Sequence, residues 1–446
     1  MNIENRWSRD RNNDLQHMFF NGIGYTAWEN VWGIWNQLTP RDGETLRRIA
    51  KIQRQFAPLM VSADWTPYEK TLQAGVFASR FPCTGHALWT IVNRSEHEVA
   101  GEQIAIAHVA GTEYFDVWNG VRLEPRIEND QARCSLKLDA HGFGAILAVA
   151  DGTQLPDLAG FLEQMNQLAR TPLRAFSSEW RSLPQQLVEI ERTRPASEVP
   201  AGMVAIPATD FDFAVQGVEI EGQTWEGLDV QYPWETSARR AHRGRVRIGA
   251  FHIDRYPVTN AQYKAFLDSS HYRPRDDHNF LRHWERGVIP RGWENKPVAW
   301  VSIEDARAYA QWAGKRLPHE WEWQYAAQGS DGRRFPWGNE WSAGAVPEPS
   351  TAREAPPPDD VDAHPAGASP FGVMDLVGNV WQWTDEYVDA HTRAAILRGG
   401  NNYQPQTSHW YFPQAYRLDQ HGKYLLMAPC KDRSGGIGFR CVVDAA

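Results

Sequence analysis

The stretch Phe371-Gly-Val-Met-Asp-Leu-Val-Gly-Asn-Val-Trp-Gln-Trp-Thr384, closed by Leu397-Arg-Gly-Gly400, constrains the fold more than any other. Gly378-Asn379 reads as a tight turn, because both residues tolerate the backbone angles a turn demands. Val380 to Thr384 then alternates with period two, which puts the Trp381 and Trp383 indoles on one face of a strand. Two indoles on one face need a large apolar partner surface. The chain has 21 tryptophans, and each fills volume that a helix or strand would otherwise fill. Short elements joined by many loops follow from that usage.

The 446 residues leave room for two or three domains. Net charge is -9, which argues against nucleic acid as a partner, since phosphate neutralisation needs a basic face. No apolar run approaches the ~18 residues that span a bilayer, and the N-terminus has no signal-peptide core. The expected location is therefore cytoplasmic, with no membrane partner. Cys83, Cys134, Cys430 and Cys441 are too few for a disulfide scaffold. Cys83 and Cys134 read as packing residues.

Four segments are expected. In residues 1–62, Thr39 caps a helix that has Pro40 at its first position. Leu46, Ile49, Ile52 and Phe56 form its buried face, while residues 21–30 read as a strand or loop. Residues 63–150 contain short alternating runs at 87–92, 103–108, 113–118, 134–138 and 144–149, separated by turn residues. That is the spacing of a small antiparallel β-sandwich. Residues 151–200 read as a helical linker, with one stripe at Leu158, Leu162, Met165 and Leu168 and another at Leu183, Leu187 and Ile190. Residues 201–446 form the last domain. There the pattern predicts strands at 202–207 and 251–258, a Thr259-x-x-Gln262 capping box, a helix opened by Ser302 and ended by Gly314, and a short helix within 318–329.

Seven motifs occur in order in this last segment: Val258-Thr-Asn, Pro297-Val-Ala-Trp-Val-Ser302, Gly314 to Ala327, Pro336-Trp-Gly-Asn339, Gly378-Asn-Val-Trp-Gln-Trp383, Leu397-Arg-Gly-Gly400 and Gly438-Phe-Arg-Cys441. Together they resemble the formylglycine-generating-enzyme (sulfatase-modifying factor) domain, which also occurs in sulfoxide synthases of ergothioneine biosynthesis. The resemblance implies an α+β fold, an elaborated C-type-lectin-like domain with many loops, preceded here by the β-sandwich. Residues 1–150 resemble the last strand and helix of a glycoside-hydrolase barrel plus its accessory sandwich. On that resemblance Glu29 is a structural remnant rather than a catalytic acid.

The resemblance implies a copper site made by two cysteines shortly after the Arg-Gly-Gly turn, since thiolates suit Cu(I). No cysteine follows Gly400 before Cys430, so Cys430 and Cys441 are the catalytic candidates, read otherwise as buried thiols or a disulfide. The iron alternative implied by the family needs three histidines, and the candidates are His278 and His283. The resemblance also implies structural calcium near Asn379 and Gln382. There Gln382 replaces the family's glutamate, and calcium affinity rises with ligand charge. Arg239 to Arg247 has five arginines in nine residues. It reads as a solvated edge or as an anion-binding edge using Arg243 and Arg245, with Trp410 as a further substrate-binding candidate.

Two functions follow as expectations. One is a non-haem-metal oxidase that acts on a protein or small-molecule thiol with dioxygen. The other is a non-catalytic lectin-like module that binds peptide or carbohydrate. No Gly-rich phosphate loop, His-Glu-x-x-His motif or nucleophile elbow is present.

Overall fold

A computed structural model describes residues 2–3, 10–26, 38–181, 185–187, 189–218, 229–236, 239–389, 393–406 and 412–446; for 2–3, 185–187, 385–389 and 393 it describes the backbone only. Trp410 and Glu29 lie outside the described residues. The chain divides after Arg181 into two compact units. None of the described helices is long and apolar enough to cross a membrane.

The first unit is built on two antiparallel sheets. One runs in the order Thr66–Glu69, Val76–Cys83, His86–Asn93, Phe143–Val149, Glu113–Asp116, Val121–Leu123, and the other in the order Glu102–Ala107, Gln131–Ser135, Arg126–Glu128. The helix Pro40–Gln55 starts as its cap predicts, with Asp42 N donating to Thr39 Oγ1 at 3.1 Å. Its Ile49, Ile52 and Phe56 share one core with Leu15 and Phe19 of the helix Asn12–Asn21 and with Leu88, Phe143 and Leu147 of the sheet. The Leu158 stripe forms the helix Leu158–Ala169. Of the second stripe, Leu183 lies outside the described residues, and Leu187 belongs to the strand Gln185–Leu187, antiparallel to Tyr387–Asp389, rather than to a helix.

The second unit contains strands β1 (Gln185–Leu187), β2 (Met203–Ile206), β3 (Thr209–Gly217), β4 (Ala241–Ile248), β5 (Phe251–Asp254), β6 (Trp381–Asp389), β7 (Arg393–Arg398), β8 (Gln420–Leu426), β9 (Ile437–Phe439) and β10 (Val442–Asp444). Its larger sheet runs β1-β6-β7-β8-β3-β4, with β9 beside β6, and β2-β5-β10 forms a second sheet. Helix α1 (Asn260–Ser270) has the Thr259/Gln262 capping box, and α2 (Ile303–Trp312) has its equivalent at Ser302/Asp305. Helix α3 spans Glu320–Gln328. The result is a mixed α and β unit with sheets and few helices.

The alternation around Gly378 organises this unit. Trp381 and Trp383 enter one core with Tyr263, Phe266, Tyr309 and Phe439. Trp323 and Tyr325 of α3 belong to a second core with Phe213, Tyr232 and Ile396. Gln382, pointing opposite to the two indoles, reaches Trp323, whose Nε1 donates to Gln382 Oε1 at 2.9 Å. Gly378 N donates to Gly399 O at 2.9 Å. A Cβ on Gly399 would stand 2.2 Å from Leu376 O at a φ of +91°. The two glycine motifs thus form one turn-against-turn contact that a side chain would break.

Candidate metal centre

On β4 the side chains alternate. Arg243, Arg245 and Arg247 are exposed and His242 is buried. Arg245 and Arg247 stand across from Asp212 and Asp210 of β3, an arrangement of opposite charges that suits a solvated edge. The same register places Val215 opposite His242, and β3 meets β8 with Gly217 beside His421. Two imidazoles therefore flank the end of β3.

Asp229 sits between them. A Cβ on Gly217 would lie 2.0 Å from Asp229 Oδ2, so the missing side chain makes the space the carboxylate fills. Asp229 Oδ2 is 3.1 Å from His421 Nε2 and 3.6 Å from His242 Nε2. All three residues are buried, and their donor atoms lie within 4.8 Å of one another. Among the described residues this is the one group of three or more His, Cys, Asp or Glu side chains with converging donor atoms.

A second layer of carboxylates fixes both rings. His242 Nδ1 is 3.1 Å from each oxygen of Glu235, and His421 Nδ1 is 2.6 Å from Glu320 Oε1. Each Nδ1–H is thereby directed to a carboxylate and each Nε2 to Asp229. Glu320, the first residue of α3, also accepts from Tyr232 Oη and, at 2.6 Å, from Arg398 Nη1. Arg398 is fully buried over Trp323, its guanidinium carbon 4.9 Å from the ring centre. Lys423 Nζ donates to Asp229 O at 3.3 Å. Burial opposes charge on His421, but Glu320 and Asp229 outweigh it and raise its pKa to about 9. Burial likewise opposes charge on His242, and Asp229 and Glu235 overcome it, raising its pKa. Burial works against the ionised forms of Asp229 and Glu320 too. The imidazoles reverse this, holding Asp229 well below the usual carboxylate range and, together with Arg398, Glu320 at about 2. The surrounding carboxylates thus favour positive charge on both rings.

The residues singled out by sequence lie elsewhere. Cys430 and Cys441 are both free, so the disulfide alternative does not hold. Cys441 is fully buried, which pushes its thiol well above its ordinary pKa. The Cys430 thiol hydrogen-bonds to Asp276, which raises its pKa as well. Neither belongs to a group of three or more converging His, Cys, Asp or Glu donors among the described residues. His283 stacks on Trp293 and its Nε2 is 3.1 Å from Asn260 Oδ1; burial lowers its pKa to about 4. His278 is exposed, and its carbonyl accepts from Arg433. Neither histidine belongs to a group of three or more converging donors among the described residues.

The two calcium candidates have their atoms engaged by protein. Asn379 Oδ1 accepts from Asp359 N at 2.9 Å and its Nδ2 donates to Asp359 O at 3.1 Å. Gln382 Oε1 accepts from Trp323 and, at 2.6 Å, from Arg440 Nε. Its Nε2 donates to Asp375 O at 2.8 Å and to Leu376 O at 3.3 Å. An amide N–H therefore fills the place where a glutamate would face two carbonyl oxygens and need a cation between.

Asp229, His242 and His421 were missed in the sequence because they are far apart along the chain. One signal was available: in the arginine-rich strand, His242 is the lone titratable residue on the inward phase.

The model of the sulfatase-modifying factor enzyme 1-like domain matches residues 191–445, more than half of the chain. A formylglycine-generating enzyme of Streptomyces coelicolor is 32% identical over 263 residues, 45% of this chain and 80% of that one. A hercynine oxygenase of Mycolicibacterium thermoresistibile is 37% identical over 166 residues, 31% of this chain and 36% of that one. The uncharacterized protein YfmG of Bacillus subtilis is 30% identical over 230 residues, 45% of this chain and 44% of that one. The chain thus spans less than half the length of YfmG and of the hercynine oxygenase. A family 30 xylanase from Clostridium acetobutylicum covers 34% of this chain and 42% of its own at 13% identity and a TM-score of 0.23, which carries no argument about fold or activity. With the domain match and the formylglycine-generating relatives in agreement, the chain belongs to the sulfatase-modifying factor enzyme 1-like family.

Proposed function

We propose that the chain is a metal-dependent oxidoreductase that oxidises a thiol-bearing substrate, a cysteine peptide or a small thiol, with dioxygen. The observation that carries this reading is the family domain across residues 191–445, whose relatives include formylglycine-generating enzymes and hercynine oxygenases. Dioxygen chemistry of this kind is carried by a metal or cofactor, so a metal belongs to the proposal. The C-type-lectin-like assignment of the fold belongs to it as well, supported by the family match and the loop-rich mixed architecture. The lectin-like binding module has no comparable support, since two of the three named relatives carry enzyme names and none is named as a binding protein.

The test is oxygen consumption by the metal-supplemented chain with cysteine-containing peptides, free cysteine, and hercynine together with a thiol. Thiol-dependent uptake that disappears on metal removal is the expected result. No uptake above the protein-free rate on any of these substrates, with iron or with copper, overturns the proposal.

A further inference from the structure

We propose that Asp229 Oδ2, His242 Nε2 and His421 Nε2 hold a divalent transition-metal ion, with Glu235 and Glu320 orienting the two imidazoles. As the metal of the proposed oxidase it rests on that reading. As a metal site it stands on geometry alone.

Three independent features point the same way. The first is spacing. Nitrogen and carboxylate ligands bind such ions at about 2.0–2.2 Å, so neighbouring donors on one ion stand roughly 3.3 Å apart. The separations of 3.1 and 3.6 Å around Asp229 Oδ2 bracket that value. A hydrogen bond explains the first but not the second. His242 Nε2 is buried and makes no hydrogen bond; its contact with Asp229 is an ion pair only when the ring is protonated, and a buried neutral nitrogen without a partner is costly unless something binds it.

The second is the outer layer. A metal-bound imidazole characteristically gives its other N–H to a carboxylate, which fixes the tautomer and aims the free nitrogen. Here both rings do so, His242 to Glu235 and His421 to Glu320. Glu320 is in turn held by Arg398 and Tyr232. One such arrangement is ordinary, whereas two that converge on a single carboxylate oxygen describe a ligand set.

The third is the cradle. Gly217 is fully packed, and a methyl group in place of its hydrogen would occupy the Asp229 carboxylate position. Its φ lies outside the left-handed region, so the backbone does not require glycine there. What requires it is the carboxylate. Two imidazoles and one carboxylate select borderline ions such as zinc, cobalt or iron(II) rather than calcium or copper(I). All three ligands are buried, which suits an ion taken up as the domain folds.

The experiment uses the full chain, refolded with and without cobalt(II), and reads metal rather than turnover. Visible d–d absorption with stoichiometric retained cobalt is expected, displaced by zinc. His242→Ala should abolish it. If that variant does not fold, Glu235→Gln keeps all three ligands and should weaken binding roughly 10–100-fold. No retained cobalt and no d–d band in the unmodified chain means that protons alone balance the site, and this overturns the proposal. Retained cobalt with an unchanged spectrum in folded His242→Ala, or in Glu235→Gln with unchanged affinity, overturns it too. Metal at the site without thiol-dependent oxygen uptake leaves the site standing and refutes the oxidase instead.

Discussion

Gly217→Ala isolates the packing of Asp229 from every other property of the site. The new Cβ would lie 2.0 Å from Asp229 Oδ2, more than an ångström inside contact distance, so the carboxylate must leave its place between the imidazoles. Its contacts at 3.1 Å to His421 and 3.6 Å to His242 go with it. Breaking a buried ion pair by removing one partner costs about 3–5 kcal/mol. For a unit of this size, each kcal/mol shifts the midpoint by roughly 2–4 °C, so the expected fall is about 6–20 °C. The sign is informative. Glycine-to-alanine exchange at an unstrained position ordinarily stabilises by about 0.4–1 kcal/mol, through the unfolded chain. Gly249→Ala is the matched control, because a Cβ there meets nothing within 4 Å. Differential scanning calorimetry of both variants reads the result. If Gly217→Ala melts at the temperature of Gly249→Ala, the account of Asp229 packed over β3 is wrong.

Three further outcomes follow from the structure. Burial raises the Asp375 pKa to about 7, against the pull of Arg440, so the folded chain binds an extra proton between about pH 4 and 7 and stability falls as pH rises through that window. Asp375→Asn should flatten this dependence and stabilise by about 2–4 kcal/mol at pH 8, read by denaturant unfolding at pH 5 and 8; equal slopes in the two proteins would contradict it. Gln382→Glu removes the N–H donors to Asp375 O and Leu376 O and should cost roughly 2–4 kcal/mol, with calcium restoring part of the loss. A variant as stable as the parent without calcium refutes the assignment of those two hydrogen bonds. Cys430→Ala and Cys441→Ala should leave bound metal unchanged by elemental analysis, since neither thiol joins a donor cluster among the described residues; loss of metal in either would reinstate a thiolate ligand.

What could be read from the sequence was local. The caps at Thr39, Thr259 and Ser302 and the two-residue alternation at Trp381 and Trp383 depend on neighbours a few positions away, and the structure contains them. The motifs around Arg398 and Arg440 carried the family resemblance without showing that both guanidinium groups are buried or what they bind. Arg440 donates to the carbonyls of Asp254, Met374 and Asp375 and to Gln382, contacts set by the packing of three separate segments. Leu187 misled because its strand partner, Tyr387, is far along the chain and local spacing does not reveal it. The metal group was hidden for a different reason. His242 and His421 meet only through the register of β4 on β3 and of β3 on β8, and Asp229 joins them through the space left by Gly217. Sequence spacing does not encode any of these three conditions.

The central claim concerns an ion held by Asp229, His242 and His421, and anomalous diffraction tests it most directly. Crystals of the metal-loaded chain, measured on both sides of the absorption edge of the bound metal, should give a difference peak within bonding distance of Asp229 Oδ2, His242 Nε2 and His421 Nε2. A map with no peak there, or with its peak at Cys430 or Cys441 instead, contradicts the claim.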